Sequence, residues 1–125
     1  MVLSGQKIKT LEIEYMRCSL HHDNHLFIGT EEELIFMVSL PDFTILDRFI
    51  TQSYVFTIEA LDNSKLIVGQ YQGFIDILQI ESEEGKLTKL HQVKPFSANV
   101  YKIVSLGDGN LVFGCGNGLF FGKVI

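Results

Sequence analysis

The sequence predicts an all-β fold made of about three repeats of a four-stranded antiparallel unit. The apolar stretches are short, rich in Val, Ile, Phe and Tyr, and separated by Gly, Asn and Asp, as expected of strands joined by tight turns. A five-residue pattern (a polar residue, Leu, two apolar residues and Gly) recurs three times, ending at Gly29, Gly69 and Gly114. These glycines are 40 and 45 residues apart, which leaves room for four short strands and their turns.

The chain opens with a single predicted strand before the first repeat. Residues 7–14 (Lys-Ile-Lys-Thr-Leu-Glu-Ile-Glu) alternate apolar and polar side chains, which is typical of a strand with one buried face. We interpret this segment as the outer strand of a preceding unit.

The three repeats share one order of elements. An apolar strand leads through a polar turn into the strand that carries the recurring pattern, and a tight turn then leads into a third apolar strand. Clusters of Asp, Asn, Ser and Gly mark the first of these turns. Within the single domain 1–125, the repeats are assigned to residues 15–49, 53–93 and 98–125.

The first two repeats continue into a fourth strand. Residues 44–49 follow a Pro41-Asp42 turn, and residues 87–93 follow an acidic loop at 81–85. Four strands in 40 to 45 residues is the repeat length of a β-propeller blade. The predicted fold class is therefore an all-β partial propeller of about three antiparallel blades, the last of which lacks its fourth strand.

Glycine is expected where the second and third strands of a blade meet. It permits a tight turn, or the close approach of a neighbouring backbone, at positions where a Cβ would collide. We assign a structural role in turns to Gly29, Gly69, Gly73, Gly114 and Gly118.

Two stretches resemble the WD40-type β-propeller family. Residues 66–79 (Leu-Ile-Val-Gly-Gln-Tyr-Gln-Gly-Phe-Ile-Asp-Ile-Leu-Gln) and 111–124 (Leu-Val-Phe-Gly-Cys-Gly-Asn-Gly-Leu-Phe-Phe-Gly-Lys-Val) are similar to its second strand, turn and third strand. Leu78-Gln79 and Lys123-Val124 stand where the family usually has Trp-Asp. The resemblance covers nearly the whole chain, and it implies a rigid scaffold that binds proteins or peptides.

Composition excludes several classes of protein. Of the 125 residues, 46% are hydrophobic, which excludes an intrinsically disordered chain. The 15 Asp and Glu outnumber the 10 Lys and Arg, which argues against nucleic-acid binding, since phosphate contacts require basic clusters. No apolar run is long enough for a membrane span. The two thiols, Cys18 and Cys115, fit a reducing compartment, so we expect a cytoplasmic protein, with the nucleus as the alternative.

The polar run His21-His22-Asp23-Asn24-His25 contains three imidazoles and a carboxylate, which are ligand types for zinc. It aligns with the turns at 62–64 and 107–109, however, so we interpret it as a solvated hairpin turn. We predict neither a metal site nor a cofactor.

The segment 114–118 (Gly-Cys-Gly-Asn-Gly) resembles a phosphate-binding loop in its composition. Such a loop opens a helix, whereas the residues that follow here read as a further strand. We therefore interpret it as a turn between strands. Cys115 could act as a nucleophile with a histidine, but we interpret it as a buried, inert thiol, and we assign no catalytic residue.

Acidic and aromatic residues in the turns are the remaining candidates for function. The acidic runs at 31–33 and 81–84 are interpreted as solvated turns, with docking of a basic segment as the alternative. Tyrosine is a frequent anchor of interfaces, and the candidates are Tyr54, Tyr71 and Tyr101. Because Tyr101 and Phe56 occupy matching repeat positions, packing explains them better, and Tyr71 is the freer candidate.

These observations predict a non-catalytic protein–protein interaction scaffold of WD40-repeat type, with partners that are proteins or peptides rather than nucleic acid or membrane. The alternative is a ligand-binding, metal-binding or enzymatic propeller with a site in the central channel. Closed propellers have at least four blades. The chain is therefore expected to be a piece of a longer propeller, or to form a dimer that closes a six-bladed ring by exchanging first strands. We favour the piece.

Overall fold

The computed structural model describes residues 5, 6 and 9–124, and eleven strands account for most of them. The first blade contains β1 (Met16–His22), β2 (His25–Thr30), β3 (Leu34–Ser39) and β4 (Thr44–Ile50). The second contains β5 (Val55–Ala60), β6 (Lys65–Gln70), β7 (Ile75–Glu81) and β8 (Lys86–Val93). The third contains β9 (Val100–Gly107), β10 (Asn110–Cys115) and β11 (Gly118–Lys123). A short 3₁₀ turn, Tyr71–Gly73, joins β6 to β7.

Each blade is an antiparallel meander in which consecutive strands are neighbours. The sheets have four, four and three strands, so the predicted all-β fold of about three four-stranded blades, the last incomplete, is confirmed. Short loops suit this order, because antiparallel neighbours can be joined by two-residue turns. Two such turns are Asp23-Asn24 between β1 and β2, and Gly116-Asn117 between β10 and β11.

The blades stack face to face through their apolar side chains. One buried cluster lies between the first and second blades and includes Phe27, Met37, Val55 and Val68. A second lies between the second and third blades and is built from Ile67, Ile75, Val100, Ile103, Leu111 and Phe113. Neighbours on one strand, Ile67 and Val68, thus point into different clusters, which is why the central strands read as continuous apolar runs. Each such side chain stabilises the fold by about 1.5–3 kcal/mol.

A glycine-to-valine contact repeats at both junctions between blades. A Cβ on Gly29 would collide with the side chain of Val55, the first residue of β5. A Cβ on Gly69 would lie 2.7 Å from Cγ1 of Val100, the first residue of β9. On Gly114, the third equivalent position, a Cβ would meet nothing closer than 3.8 Å. Among the described residues, none fills in the third blade the slot that holds a valine in the first two.

The two ends of the stack differ. On the outer face of the first blade, Leu11 and Ile13 pack against Ile28, Phe36 and Val38. Residues 7 and 8 of the predicted outer strand lie outside the described residues and residues 9–14 are assigned to no strand, so that strand stays a prediction.

The outer face of the third blade is open to solvent. Val112 pairs across the sheet with Val104 on one side and with Phe121 on the other, so these three side chains share that face. Val104 and Phe121 are exposed. Among the residues that the structure describes, none covers this face in the way that Leu11 and Ile13 cover the first blade.

Candidate functional site

The first strand of each blade (β1, β5 and β9) contains a β-bulge near its N-terminal end. The pairing with the neighbouring strand skips one residue between Met16 and Cys18, one between Val55 and Thr57, and one between Val100 and Lys102. The skipped residues are Arg17, Phe56 and Tyr101. A bulge redirects the side chain of its extra residue, so these three occupy equivalent places in successive blades.

The three bulge residues form a continuous stack, which we call the aromatic row. The Arg17 guanidinium lies 4.5 Å from the centroid of the Phe56 ring, within the range of a cation–π contact. The Phe56 and Tyr101 rings are 5.0 Å apart at 58°, a tilted aromatic contact. The row thus links all three blades at the same edge of the stack.

A pair of tyrosines lies in the loops at the same edge. The rings of Tyr54 and Tyr71 are 5.5 Å apart. The Tyr71 N–H donates to the Tyr54 carbonyl at 2.9 Å, and the Ser53 hydroxyl donates to the Tyr71 carbonyl at 2.9 Å. The backbone therefore fixes this tyrosine pair without using its phenolic hydroxyls.

Asn99 connects the tyrosine pair to the aromatic row. Its side-chain oxygen accepts the N–H of Gln72, next to Tyr71, at 2.9 Å. Its side-chain nitrogen donates to the hydroxyl of Tyr101 at 3.0 Å. The two groups of aromatic residues therefore form one surface that extends over the junction between the second and third blades.

The aromatic residues of this surface are accessible. Tyr54, Tyr71 and Tyr101 are 44%, 40% and 48% exposed. Tyr101 packs on Phe56, as its repeat position predicts, yet nearly half of it remains in contact with solvent. The sequence pointed to Tyr71 as the freest of the three, whereas the structure gives all three similar exposure.

Charge on this surface comes from Arg17 and the turn after β2. Arg17 forms an ion pair with Glu31, the first residue of the predicted acidic run 31–33. The guanidinium is therefore held between a carboxylate and an aromatic ring. Because these contacts restrict the Arg17 side chain, it has less conformational entropy to lose when a partner binds.

The turn at Tyr71–Gly73 needs glycine at its last position. Gly73 has φ +91°, and a Cβ there would collide with the carbonyl of Phe96, in the loop that leads into the third blade. The other predicted turn glycines lie elsewhere. Gly29, Gly69 and Gly114 are the penultimate residues of β2, β6 and β10, and Gly118 is the first residue of β11.

The three histidines of the run 21–25 point to different neighbours. His21 contacts the carbonyl of Asp23 at 3.0 Å, whereas His22 contacts the carbonyl of Asn63, in the second blade, at 3.1 Å. His25 packs against the ring of Phe27. In the described part of the chain, no group of three or more His, Cys, Asp or Glu side chains is arranged to hold a metal ion.

Both cysteines are free thiols. Burial raises the pKa of Cys18 to about 11, and burial also raises the pKa of Cys115. Raised pKa values disfavour the thiolate that nucleophilic chemistry needs. Residues 114–118 form the end of β10, a two-residue turn and the start of β11, so this glycine-rich segment joins two strands.

Comparison with solved structures identifies the fold. The chain matches the β-propeller domain of Cps50 (Swd1) from Myceliophteria thermophila with a TM-score of 0.69 at 12% identity, over 84% of this chain and 38% of that one. It matches the computationally designed Ika4 protein with a TM-score of 0.67 at 18% identity, over 85% and 64%. A chain of the mitotic checkpoint complex matches with a TM-score of 0.61 at 18% identity, over 97% and 43%.

These matches show that the fold is that of β-propeller blades. The chain spans less than two thirds of the length of each of these structures. No family model matches the sequence, and no curated protein matches it. Within the described residues there is no helix of the length and hydrophobicity needed to cross a membrane.

Proposed function

We propose that this chain is a non-catalytic protein-interaction scaffold of the WD40-repeat type, and that it binds a segment of another protein through the aromatic row and the tyrosine pair. Its partners on this proposal are proteins or peptides. The observation that carries the proposal is the continuous stack of Arg17, Phe56 and Tyr101 across three blades.

Residue type and rigidity both support binding at this surface. Arg and Tyr are enriched among the residues that contribute most to interfaces. Here their side chains are ordered before any partner arrives, because Arg17 is paired with Glu31 and Tyr101 accepts a hydrogen bond from Asn99. A partner therefore pays less conformational entropy to engage them.

The accessible surface has room for an extended segment of several residues. It reaches from Arg17 in the first blade, through Phe56 in the second, to Tyr101 in the third, and the tyrosine pair extends it at the loop end. Rigid strands carry the row, and a rigid scaffold that presents loops and strand ends is a common arrangement for binding.

Selection from a displayed random-peptide library tests the proposal. Peptides that bind the immobilised chain are measured again against Tyr101→Ala and Arg17→Ala. A residue that anchors an interface costs about 2 kcal/mol or more when truncated, so affinity is expected to fall by about 30-fold for these variants.

Leu106→Ala is the matched control. Leu106 is an exposed apolar residue of β9 at the opposite end of the strand from Tyr101, and its truncation is expected to leave affinity within twofold. If the library yields no binder, or if the selected peptides bind the Tyr101→Ala variant as tightly as the unmodified chain, the aromatic row is not a binding surface.

A further inference from the structure

Two polar side chains are fully buried between the first and second blades. Gln70 of β6 and Asp76 of β7 have no exposed surface. Side chains alternate between the two faces along a strand, and both Val68 and Leu78 belong to the buried cluster shared with the first blade. Gln70 lies two residues from Val68 and Asp76 lies two residues from Leu78, so both polar side chains face the first blade.

The register of the strands makes these two side chains neighbours. Asp76 lies opposite Val68 in the pairing of β6 with β7. The N–H of Gln70 donates to the carbonyl of Phe74, two residues before Asp76. Gln70 and Asp76 are therefore diagonal neighbours on one face, and such positions are about 7–8 Å apart, within reach of long side chains.

One polar atom of each side chain has a hydrogen-bond partner, and that bond determines which atom remains. Gln70 Oε1 accepts the N–H of Ser53 at 3.2 Å, so the amide nitrogen Nε2 is the remaining atom. Asp76 Oδ1 accepts the amide N–H of Gln92 at 2.9 Å, so Oδ2 remains. Gln70 Nε2 and Asp76 Oδ2 are both buried, and among the described residues neither has a hydrogen-bond partner.

A buried donor beside a buried acceptor defines the ligand that fits between them. A buried polar group without a partner costs free energy, and a buried carboxylate costs the most. A metal ion requires electron-pair donors, whereas the amide nitrogen of Gln70 offers hydrogens, and an anion would be repelled by Asp76. A water molecule can accept one hydrogen bond and donate another, which matches both atoms.

We propose that a single buried water molecule binds between the first and second blades, where it accepts a hydrogen bond from Gln70 Nε2 and donates one to Asp76 Oδ2. Two hydrogen bonds of about 2.7–3.0 Å join atoms that do not bond to each other directly. The water completes a network that leads from Gln92 through Asp76 and Gln70 to Ser53.

This network reaches the tyrosine pair. The Ser53 hydroxyl donates to the carbonyl of Tyr71, and the N–H of Tyr71 donates to the carbonyl of Tyr54. Because its amide is held at both ends, Gln70 acts as a positioning residue for the loop that contains Tyr54. The inference goes beyond the proposed function, since it concerns the interior of the blades and holds whether or not the tyrosine pair binds a partner.

Crystallography and NMR spectroscopy of the unmodified chain test for the water directly. Electron density for one water is expected within about 3 Å of both Gln70 Nε2 and Asp76 Oδ2. Cross-relaxation from water is expected at the methyl groups of Val68, which lies next to both side chains and whose methyl protons do not exchange with solvent. A direct hydrogen bond between Gln70 and Asp76, or no bound water near Val68, would overturn the proposal.

A double-mutant cycle measures the bridge in urea denaturation. Gln70→Met and Asp76→Leu each remove one side of the water site. Gln70→Met should therefore raise the unfolding equilibrium constant by at least about threefold less when Asp76→Leu is already present. Gln79→Met is the matched control, because Gln79 also donates its amide N–H, to the carbonyl of Ser64 at 3.1 Å, but lies on the opposite face of β7. Its effect should not depend on Asp76→Leu. Additive effects of Gln70→Met and Asp76→Leu would contradict a bridge between them.

NMR signals of the tyrosine rings test the positioning role. In Asp76→Leu, the signals of Tyr54 and Tyr71 are expected to shift, and Asp76→Asn, which keeps a buried polar group for the water, should restore them. Gln79→Met should leave them unchanged. If Asp76→Leu does not move these signals, the water does not position the tyrosine pair. None of these measurements uses a partner, so failure of this proposal and failure of the aromatic row as a binding surface are distinguishable.

Discussion

Alanine at equivalent glycines should have opposite effects in the second and third blades. In Gly69→Ala, the new Cβ would lie 2.6 Å from Cγ2 of Thr57 and 2.7 Å from Cγ1 of Val100. Ordinary carbon–carbon contacts are about 3.5–4.0 Å, so the overlap is close to 1 Å. Thr57 and Val100 are buried and β-branched, and therefore have little freedom to rotate away. Overpacking of this kind costs about 1–3 kcal/mol.

Gly114→Ala places the same methyl group in the third slot, which no residue of the described part of the chain fills. The nearest atoms would be 3.8 Å away, in ordinary van der Waals contact. Its effect comes mainly from the unfolded chain, which loses conformational freedom, and the expected gain is about 0.4–1 kcal/mol. The two variants should therefore differ by about 1.5–4 kcal/mol in unfolding free energy, although both replace a glycine at the same strand position.

Urea denaturation followed by circular dichroism measures the difference. The midpoint of Gly69→Ala should fall and that of Gly114→Ala should stay level or rise, with the slope unchanged. Val100→Ala removes one of the two groups that collide with the new Cβ, so the effects of Gly69→Ala and Val100→Ala should be less than additive in the double variant. Equal destabilisation by Gly69→Ala and Gly114→Ala would refute the assignment of an empty slot to the third blade.

Three further predictions follow from other buried groups. Gly73→Ala should destabilise the fold by more than about 1 kcal/mol in a thermal melt, because φ is +91° and the Cβ would meet the carbonyl of Phe96. Burial raises the pKa of Cys18 in the folded state, so the thiol ionises first in the unfolded chain. The free energy of unfolding should therefore fall as pH rises from 9 to about 11. Urea titrations of Cys18→Ala should show a smaller decline over the same pH range. Gln92→Ala should cost about 1–3 kcal/mol in urea denaturation, because the Gln92 amide donates to the buried Asp76 carboxylate at 2.9 Å and no other side chain among the described residues satisfies it.

The fold class was accessible from the sequence because blade packing imposes a strong local pattern. Strands buried on both faces, such as Leu66-Ile67-Val68, read as continuous apolar runs, and the turns between them carry Asp, Asn and Gly. Recurrence of Leu, two apolar residues and Gly then gave the repeat length. The short loops left few other ways to order the strands.

The candidate site was accessible only in part. The tyrosines were identified by residue type, but the stack with Arg17 depends on three β-bulges, and nothing in a single strand's composition places a bulge. The spacing between the recurring glycine and its partner on the first strand also varies by one residue, because Gly29 pairs with Cys18, eleven residues earlier, whereas Gly69 pairs with Thr57, twelve residues earlier. Register is set by the packing of whole blades, which a pattern of local residues does not contain.

An apolar groove of about 450 Å³ between the second and third blades was not predicted for a similar reason. Its walls come from β7, β8 and β11, which are distant in sequence and meet only when the second and third blades stack.

The unequal ends of the stack determine how identical copies can associate. Head-to-tail contact would place the third blade of one copy on the first blade of the next, where Leu11 and Ile13 already cover the apolar face. Contact between two open third blades needs no such displacement, and it relates the copies by a two-fold axis. Residues 9–14 therefore occupy the blade face that a head-to-tail contact between copies would need.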